Sequence, residues 1–189
     1  MSVTTTTELV PGYVAGTWDV DPVHTDVSFS VRHMMVSKVR GRFTGVRGEI
    51  VTAEDPLASS VTATIELASI DTANEQRDNH IRSADFFEVE KYPTMTFRSS
   101  GVRHQRGRFL VDGQLDLHGV VRDVTLEVEA NGFTVDPYGN TRAGFSATGE
   151  INRKDFGISI DLPMDGGGVV IGDRIQLQLE VEAILRPTA

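Results

Sequence analysis

The sequence predicts an all-β domain, antiparallel throughout, either closed as a barrel or stacked as a sandwich. Three observations predict it. Apolar and polar residues alternate with a period of two along most of the chain, the pattern of strands with one dry and one wet face. Turn-forming residues recur between the alternating runs. Only one segment, 74–89, departs from the alternation, and it has room for no more than a short helical insert.

The chain opens MSVTTTTELVPGYVAG, without the cationic start and apolar stretch of a secretory leader. The expectation is a cytoplasmic protein with a flexible arm over 1–14 and a single domain over 15–189. Trp18 and Val20 begin the strand candidates. Val27, Phe29, Val31 and His33 then share one face, opposite Asp26, Ser28, Ser30 and Arg32. The 43–51 region is a further strand candidate. Val61, Ala63, Ile65 and Leu67 alternate with Thr62, Thr64 and Glu66. The pattern recurs at Met95 and Phe97, and at Phe109, Val111, Leu115 and Leu117. Val124, Leu126 and Val128 oppose Thr125, Glu127 and Glu129. Ala143, Phe145, Ala147 and Ile151 oppose Arg142, Ser146 and Glu150. The cleanest run sets Ile175, Leu177, Leu179, Val181 and Ala183 against Gln176, Gln178, Glu180 and Glu182. Arg106-Gly107, Asn131-Gly132, Asp136 to Asn140 and Gly172-Asp173 are read as hairpin connections. Asp165-Gly166-Gly167-Gly168 lacks the Lys-Ser/Thr of a phosphate loop and is read as a flexible hairpin loop.

Within 74–89, Ser83 stands before acidic residues as the N-cap of a short helical turn, and Tyr92-Pro93 ends it. Phe86 and Phe87 are adjacent. On a strand they would point to opposite faces; on a short helix they splay, one into the barrel and one onto a neighbouring surface. Both a core plug and a lid over an apolar ligand fit this arrangement.

Composition removes several function classes. The net charge of −9 repels phosphate backbones, so no nucleic-acid partner is expected. With 0 cysteines there are no disulfides and no thiolate nucleophiles or ligands. No apolar run reaches the ~20 residues of a membrane-spanning helix. The five histidines, His24, His33, His80, His104 and His118, show no metal-ligand spacing, so no metal and no cofactor are expected. No nucleophile elbow is present, and no catalytic residue is assigned. His118 before Gly119 reads as a strand-end bend on an outward face. Arg77, Asp78 and His80 form one polar knot, and Arg153, Lys154 and Asp155 another. Buried arginine needs carboxylate partners, so Arg77 or Arg153 with Asp85 or Asp155 is read first as a brace. At a pocket mouth the same groups would meet an anionic head group.

Small residues sit on the dry faces: Ala63, Gly113, Ala130, Ala143, Ala147, Gly149 and Ala183. They leave either a hollow or room for larger neighbours to interdigitate.

Four blocks carry a family resemblance: DPVHTDVSFSVRHMMVSKVRGRF from Asp21, RDNHIRSADFFEVEKYPTMTF from Arg77, LDLHGVVRDVTLEVE from Leu115 and NRKDFGI from Asn152, with GDRIQLQLEVEA near the end. In this order the chain resembles the YceI family from Thr17 to Leu185. The resemblance implies an antiparallel up-and-down, lipocalin-like β-barrel that binds polyisoprenoid or other long-chain amphiphiles, and a homodimer. The apolar lining is then expected from Phe29, Val31, Phe43, Ile65, Leu67, Phe86, Phe87, Met95, Phe97, Leu115, Leu117, Phe145, Phe156, Leu177 and Leu179. The polar contacts are expected from His33, Arg77, His80, Arg153 and Asp155. The leading expectation is non-enzymatic binding, storage or transport of a long isoprenoid or fatty-acyl chain. The alternatives are a structural homodimer with a filled barrel, and an enzyme in which His33, Arg77 or Asp155 acts on a lipid head group.

Overall fold

A computed structural model describes residues 9–162, 164–165 and 170–189. The strand segments are β1 (Gly16–Val20), β2 (Asp26–His33), β3 (Ser37–Phe43), β4 (Val46–Thr52), β5 (Ser60–Glu66), β6 (Ile70–Asp71), β7 (Thr94–Gln105), β8 (Arg108–Leu117), β9 (Val120–Val135), β10 (Thr141–Asn152) and β11 (Ile171–Leu185). Three pairs of segments act as single bent strands. β1 pairs β4 while β2 pairs β3, and β4 pairs β5 while β3 pairs β6. Counted this way, eight strands each pair with the next in sequence. β11 closes the ring by pairing β2 over 171–180 and β1 over 183–185. The architecture is therefore a closed, eight-stranded, up-and-down antiparallel barrel. Closure removes the free edges an open sheet would expose.

The register explains the alternation. Across β11 and β2, Ile175 faces Val31, Leu177 faces Phe29 and Leu179 faces Val27 on the inside, while Gln176 with Ser30 and Gln178 with Ser28 face out. Two of the four expected hairpins form. Arg106-Gly107 joins β7 to β8 with both residues at positive φ. Asp136 organises the β9–β10 turn by accepting from the backbone N–H groups of Tyr138 and Asn140, each at 2.9 Å. The other two do not form. Asn131-Gly132 lies inside the long strand β9, where the register against β10 shifts beside Gly144, and Gly172-Asp173 lies inside β11, where the register against β2 shifts. Both dipeptides mark bulges, which use the same backbone freedom as turns to bend a strand. The Gly-rich loop expected over 165–168 falls, beyond Asp165, outside the described residues.

The helical insert is α1 (Glu75–Arg82), one element earlier than Ser83 suggested. Asn74 is its N-cap, accepting from Arg77 N–H at 2.9 Å, and Ser83 is its C-cap, its hydroxyl donating to His80 O at 2.6 Å. Both Asn and Ser are cap formers, and Asn74 wins because the residues after it, EQRDNHIR, propagate a helix. Residues 83–93 then return through hydrogen-bonded turns into β7.

The two barrel ends differ. At one end Trp18 is fully buried, packed with Ala143, Ala183 and the Phe133 ring. Thr52 Oγ1 accepts from Trp18 Nε1 at 2.8 Å and from Gly16 N at 3.0 Å, and donates to Val14 O at 2.8 Å. The expected free arm is docked here in its described part. Val10 is 5% exposed, and Tyr13 donates to Ala53 O and packs edge-on against Phe133. Apolar side chains in the arm drive this docking. The opposite end carries α1, the β2–β3 hairpin, the β8–β9 turn and the β10–β11 connection. Among the described residues no helix is long and apolar enough to cross a membrane.

Candidate functional site: an apolar cavity along the barrel

The barrel is hollow. Inward side chains such as Phe29, Val31, Leu177 and Leu179 are only half-buried although they point away from solvent, because their free surface faces an internal cavity of about 490 Å³. That volume lies in the ~300–1,000 Å³ range of small-molecule sites. The lining is almost wholly hydrocarbon. Exposed side chains of the lining are Arg32, His80 and Leu162, all at the α1 end, and the small Ser60 at the other. The α1 end is therefore the mouth, and the Trp18 end is the floor.

Short inward residues serve two purposes. Ala63, Ala130 and Ala147 line the cavity and leave it space. Gly113 and Gly149 do not. A Cβ on Gly113 would meet the Phe97 ring at 2.4 Å and one on Gly149 would meet Leu126 at 2.8 Å, so neighbours fill those gaps. Ala143 and Ala183 pack against Trp18 in the floor. Hollow and interdigitated packing thus coexist in one barrel.

Most expected lining residues border the cavity: Phe29, Val31, Phe43, Ile65, Phe86, Phe87, Met95, Phe97, Leu115, Leu117, Phe145, Leu177 and Leu179. Leu67 and Phe156 do not. They are 0% and 1% exposed and lie within the packed core, each on a short 3-10 turn; for Leu67 that turn breaks the strand period used to place it, and Phe156 had been placed by the resemblance alone. Phe86 and Phe87 both border the cavity rather than splitting between two surfaces. Phe86 sets its edge against the His80 ring with centroids 5.1 Å apart, and Phe87 lies 6.1 Å from the Phe43 ring.

The polar residues divide by whether their groups are already engaged. Arg77 donates from Nε to Thr72 Oγ1 at 2.8 Å and from Nη2 to Thr72 O at 2.6 Å. Beside it the buried Asp78 accepts from Thr72 N–H and its hydroxyl. His80 Nε2 meets Asp85 at 2.8 Å. Arg153, 4% exposed, donates to the carbonyls of Gly172, Ile158 and Ile160 and to Asp161 and Asp173. Lys154 shares those carboxylates. Its hydrogen bond, followed by that of Arg153, holds Asp161 below the usual carboxylate range against the opposing effect of desolvation. Asp155 is exposed and outside the cavity, facing away on the 3-10 turn (Arg153–Phe156). The expected pairings with Asp85 or Asp155 do not form: Arg77 is held by Thr72, and the carboxylate partners of Arg153 are Asp161 and Asp173. His33 is the exception. Its ring borders the mouth and has no hydrogen-bond partner among the described residues.

Sequence reasoning placed His118 outward. Its side chain is instead 17% exposed, under the Tyr92 ring, with Nδ1 bonded to Phe156 O at 3.0 Å. His118 and Gly119 both take positive φ, making a tight β8–β9 turn that folds the ring inward. A carboxylate–histidine cluster of Asp21, His24 and Glu182 was also missed. It brings ligating atoms within 4.8 Å, but the Arg142 guanidinium already bonds Asp21 at 2.9 Å and Glu182 at 2.7 Å. Nothing in the spacing of these residues marked them, since 157 positions separate Thr25, beside His24, from its partner Glu182.

A family model described as YceI-like domain matches residues 18–183. The chain belongs to the YceI-like family. Protein YceI of Escherichia coli O157:H7 is 41% identical over 145 residues, which cover 76% of each protein. The crystal structure of the YCEI protein of Campylobacter jejuni superposes with a TM-score of 0.71 at 33% identity, covering 88% of this chain and 96% of that one. A domain from Saccharophagus degradans described as polyisoprenoid-binding has the same fold, with a TM-score of 0.68 at 16% identity over 92% of this chain and all of that one. The YceI-like barrel is thus shared across relatives that differ at most positions.

Proposed function

We propose that this YceI-like barrel binds one long-chain apolar molecule of prenyl or fatty-acyl type lengthwise in its interior, for storage or transport, without chemically altering it. The observation that carries the reading is the hydrocarbon-lined cavity of about 490 Å³ with a mouth at one end. A ligand that follows such a lining is recognised by length and apolarity. Burying a methylene is worth ~0.8 kcal/mol, so a chain of about twenty carbons gains roughly 16 kcal/mol gross. Ordering the chain and losing its free motion offsets much of this, leaving micromolar to nanomolar affinity. The name of the Saccharophagus degradans domain points to the same ligand class.

The polar groups near the cavity support binding over catalysis. Arg77, His80 and Arg153 are engaged in bracing, and Asp155 lies outside. His33, unpartnered among the described residues, borders the mouth, where a ligand head group would meet it. Native mass spectrometry of freshly purified protein, followed by organic extraction, tests the reading. Recovery of a long-chain lipid is expected. Protein that is repeatedly empty and takes up neither added prenyl alcohols nor fatty acids would sink it.

A further inference from the structure

The β2–β3 hairpin at the mouth has an unusual tip. Met34, Met35 and Val36 are 42%, 60% and 83% exposed. Met34 and Met35 take φ of 50° and 61°. A turn with two such residues favours Asn-Gly, and a Met in the left-handed region is disfavoured. Two strained apolar residues therefore stand where polar, relaxed ones would fit better, and strain of this kind concentrates at functional positions. Leu162, 40% exposed, extends the apolar rim, since Met34 N donates to Val170 O and Val170 N to Leu162 O.

The flank of this hairpin is basic. Arg32 faces Lys38 across the two strands on the outer surface, and Arg40 follows Lys38 on that face. All three are exposed and form no ion pair among the described residues. That is notable on a chain of net charge −9. Nearby carboxylates are occupied: Asp71 pairs with Arg42, and Asp161 and Asp173 pair with Arg153 and Lys154. Glu88 and Glu90 lie on the opposite, α1 side of the mouth. Residues 75–91 on that side mix both signs, with Glu75, Asp78, Asp85, Glu88 and Glu90 beside Arg77, Arg82 and Lys91, whereas the hairpin flank is basic alone.

We infer that the Met34–Val36 tip and its Arg32, Lys38 and Arg40 flank dock the barrel mouth onto an anionic lipid surface. An apolar tip that enters the acyl boundary with basic side chains at head-group level is the combination such surfaces bind. Three projecting side chains are too few for a stable protein interface, which needs roughly 800 Å² per partner. The cavity then opens beside the bilayer, through a mouth lined by Arg32 and His33. What enters it rests on the ligand reading above, whereas docking does not.

The test is co-sedimentation of the full chain with vesicles of phosphatidylcholine and phosphatidylglycerol in equal amounts, and with pure phosphatidylcholine. Binding is expected to the mixed vesicles only, and to weaken as salt is raised. Lys38→Ala with Arg40→Ala should lower partitioning about 30-fold, at about fivefold per basic residue. Met35→Ser with Val36→Ser should lower it more than about tenfold. All of these positions are exposed, so thermal melting should stay unchanged. Val135→Ser, exposed but on the floor side of the barrel, should leave partitioning as it is. Docking is overturned if the wild type ignores mixed vesicles, binds both kinds equally, or binds as well after the hairpin substitutions. A dimer in sedimentation that Met35→Ser with Val36→Ser disperses would make a second copy the occupant, and would overturn it too. Empty barrels that still bind mixed vesicles would defeat the ligand reading alone.

Discussion

Replacing Phe86 and Phe87 together by Ala tests whether residues 83–93 form part of the cavity wall. Both rings are half-buried and border the cavity, and each also packs on protein: Phe86 on His80 and Phe87 on Phe43. Truncating a fully buried Phe costs ~3–5 kcal/mol. Half-burial brings this to roughly 2 kcal/mol each, or about 4 kcal/mol for the pair. For a domain of this size ~1 kcal/mol moves Tm by ~2–4 °C, so a fall of about 8–16 °C is expected in a thermal melt followed by circular dichroism. Ligand content, measured by extraction from the same preparation, should fall as well, because the variant removes apolar surface facing the cavity. Phe86→Leu with Phe87→Leu keeps most of that surface and should recover most of both losses. A large drop in Tm with full ligand content would reduce the pair to a plug. Unchanged melting and unchanged ligand would refute the wall assignment outright.

Three further outcomes follow from the frame. Thr52→Val would leave the Trp18 Nε1–H and Gly16 N–H without this acceptor, costing about 2–6 kcal/mol in urea unfolding at ~1–3 kcal/mol per orphaned donor. Arg153→Met would leave Asp161 and Asp173 to Lys154 alone and strip the carbonyls of Gly172, Ile158 and Ile160 of their side-chain donor, costing about 3–5 kcal/mol; Arg153→Lys should fail to restore it, since one ammonium cannot span these acceptors. Acid sensitivity should come from Asp112 and Asp136. Arg103 and then Thr125 hold Asp112 down at about 2, and Arg142, helped by Asn140 and Tyr138, depresses Asp136 further. A depressed carboxylate stabilises the fold fully above its unfolded pKa near ~4, and the contribution is lost as pH falls through the folded value. Near neutral pH the urea midpoint should therefore carry the full contribution of these two groups and not vary with pH on their account; it should fall between about pH 4 and pH 2, and the fall should be shallower in Asp112→Asn with Asp136→Asn.

The strands were legible because they obey a period of two, which left barrel and sandwich both open; closure into a barrel was what the family resemblance implied, and the pairing of β11 with β1 and β2 bears it out. The cavity lining followed from the same pattern, as at Phe29, Val31, Leu177 and Leu179. The pattern misled where the backbone leaves the strand. Leu67 sits on a 3-10 turn, so parity no longer indicates direction. Asn131-Gly132 and Gly172-Asp173 supply backbone freedom, which a bulge uses as readily as a hairpin. Ser83 and Asn74 both offer a cap, and the choice depends on the residues that follow. Partners distant in sequence were out of reach: Arg153 with Asp173, or Arg142 with Asp21, depends on closure of the barrel. The missing side chain of Gly113 looked like empty space until the Phe97 ring was seen to fill it.

The conspicuous motifs of the sequence and the cavity do different work. RDNHIR and NRKDFGI hold groups that are consumed in bracing: Arg77 on Thr72, Asp78 on the same residue, Arg153 on six acceptors. The cavity itself is built from ordinary alternating residues that any strand might carry. This division has an energetic reason. A hollow core forgoes the contacts that a packed one would make across the gap, so its wall must be held from outside by polar braces. A bound chain restores those contacts, and a ligand present at 100 times its Kd adds about 2.7 kcal/mol to stability. At ~2–4 °C per kcal/mol, delipidated protein should melt about 5–11 °C below the loaded form, and re-addition of the extracted lipid should reverse the loss. Equal melting of the two forms would mean that the braces alone hold the barrel open, and that its interior gains nothing from being filled.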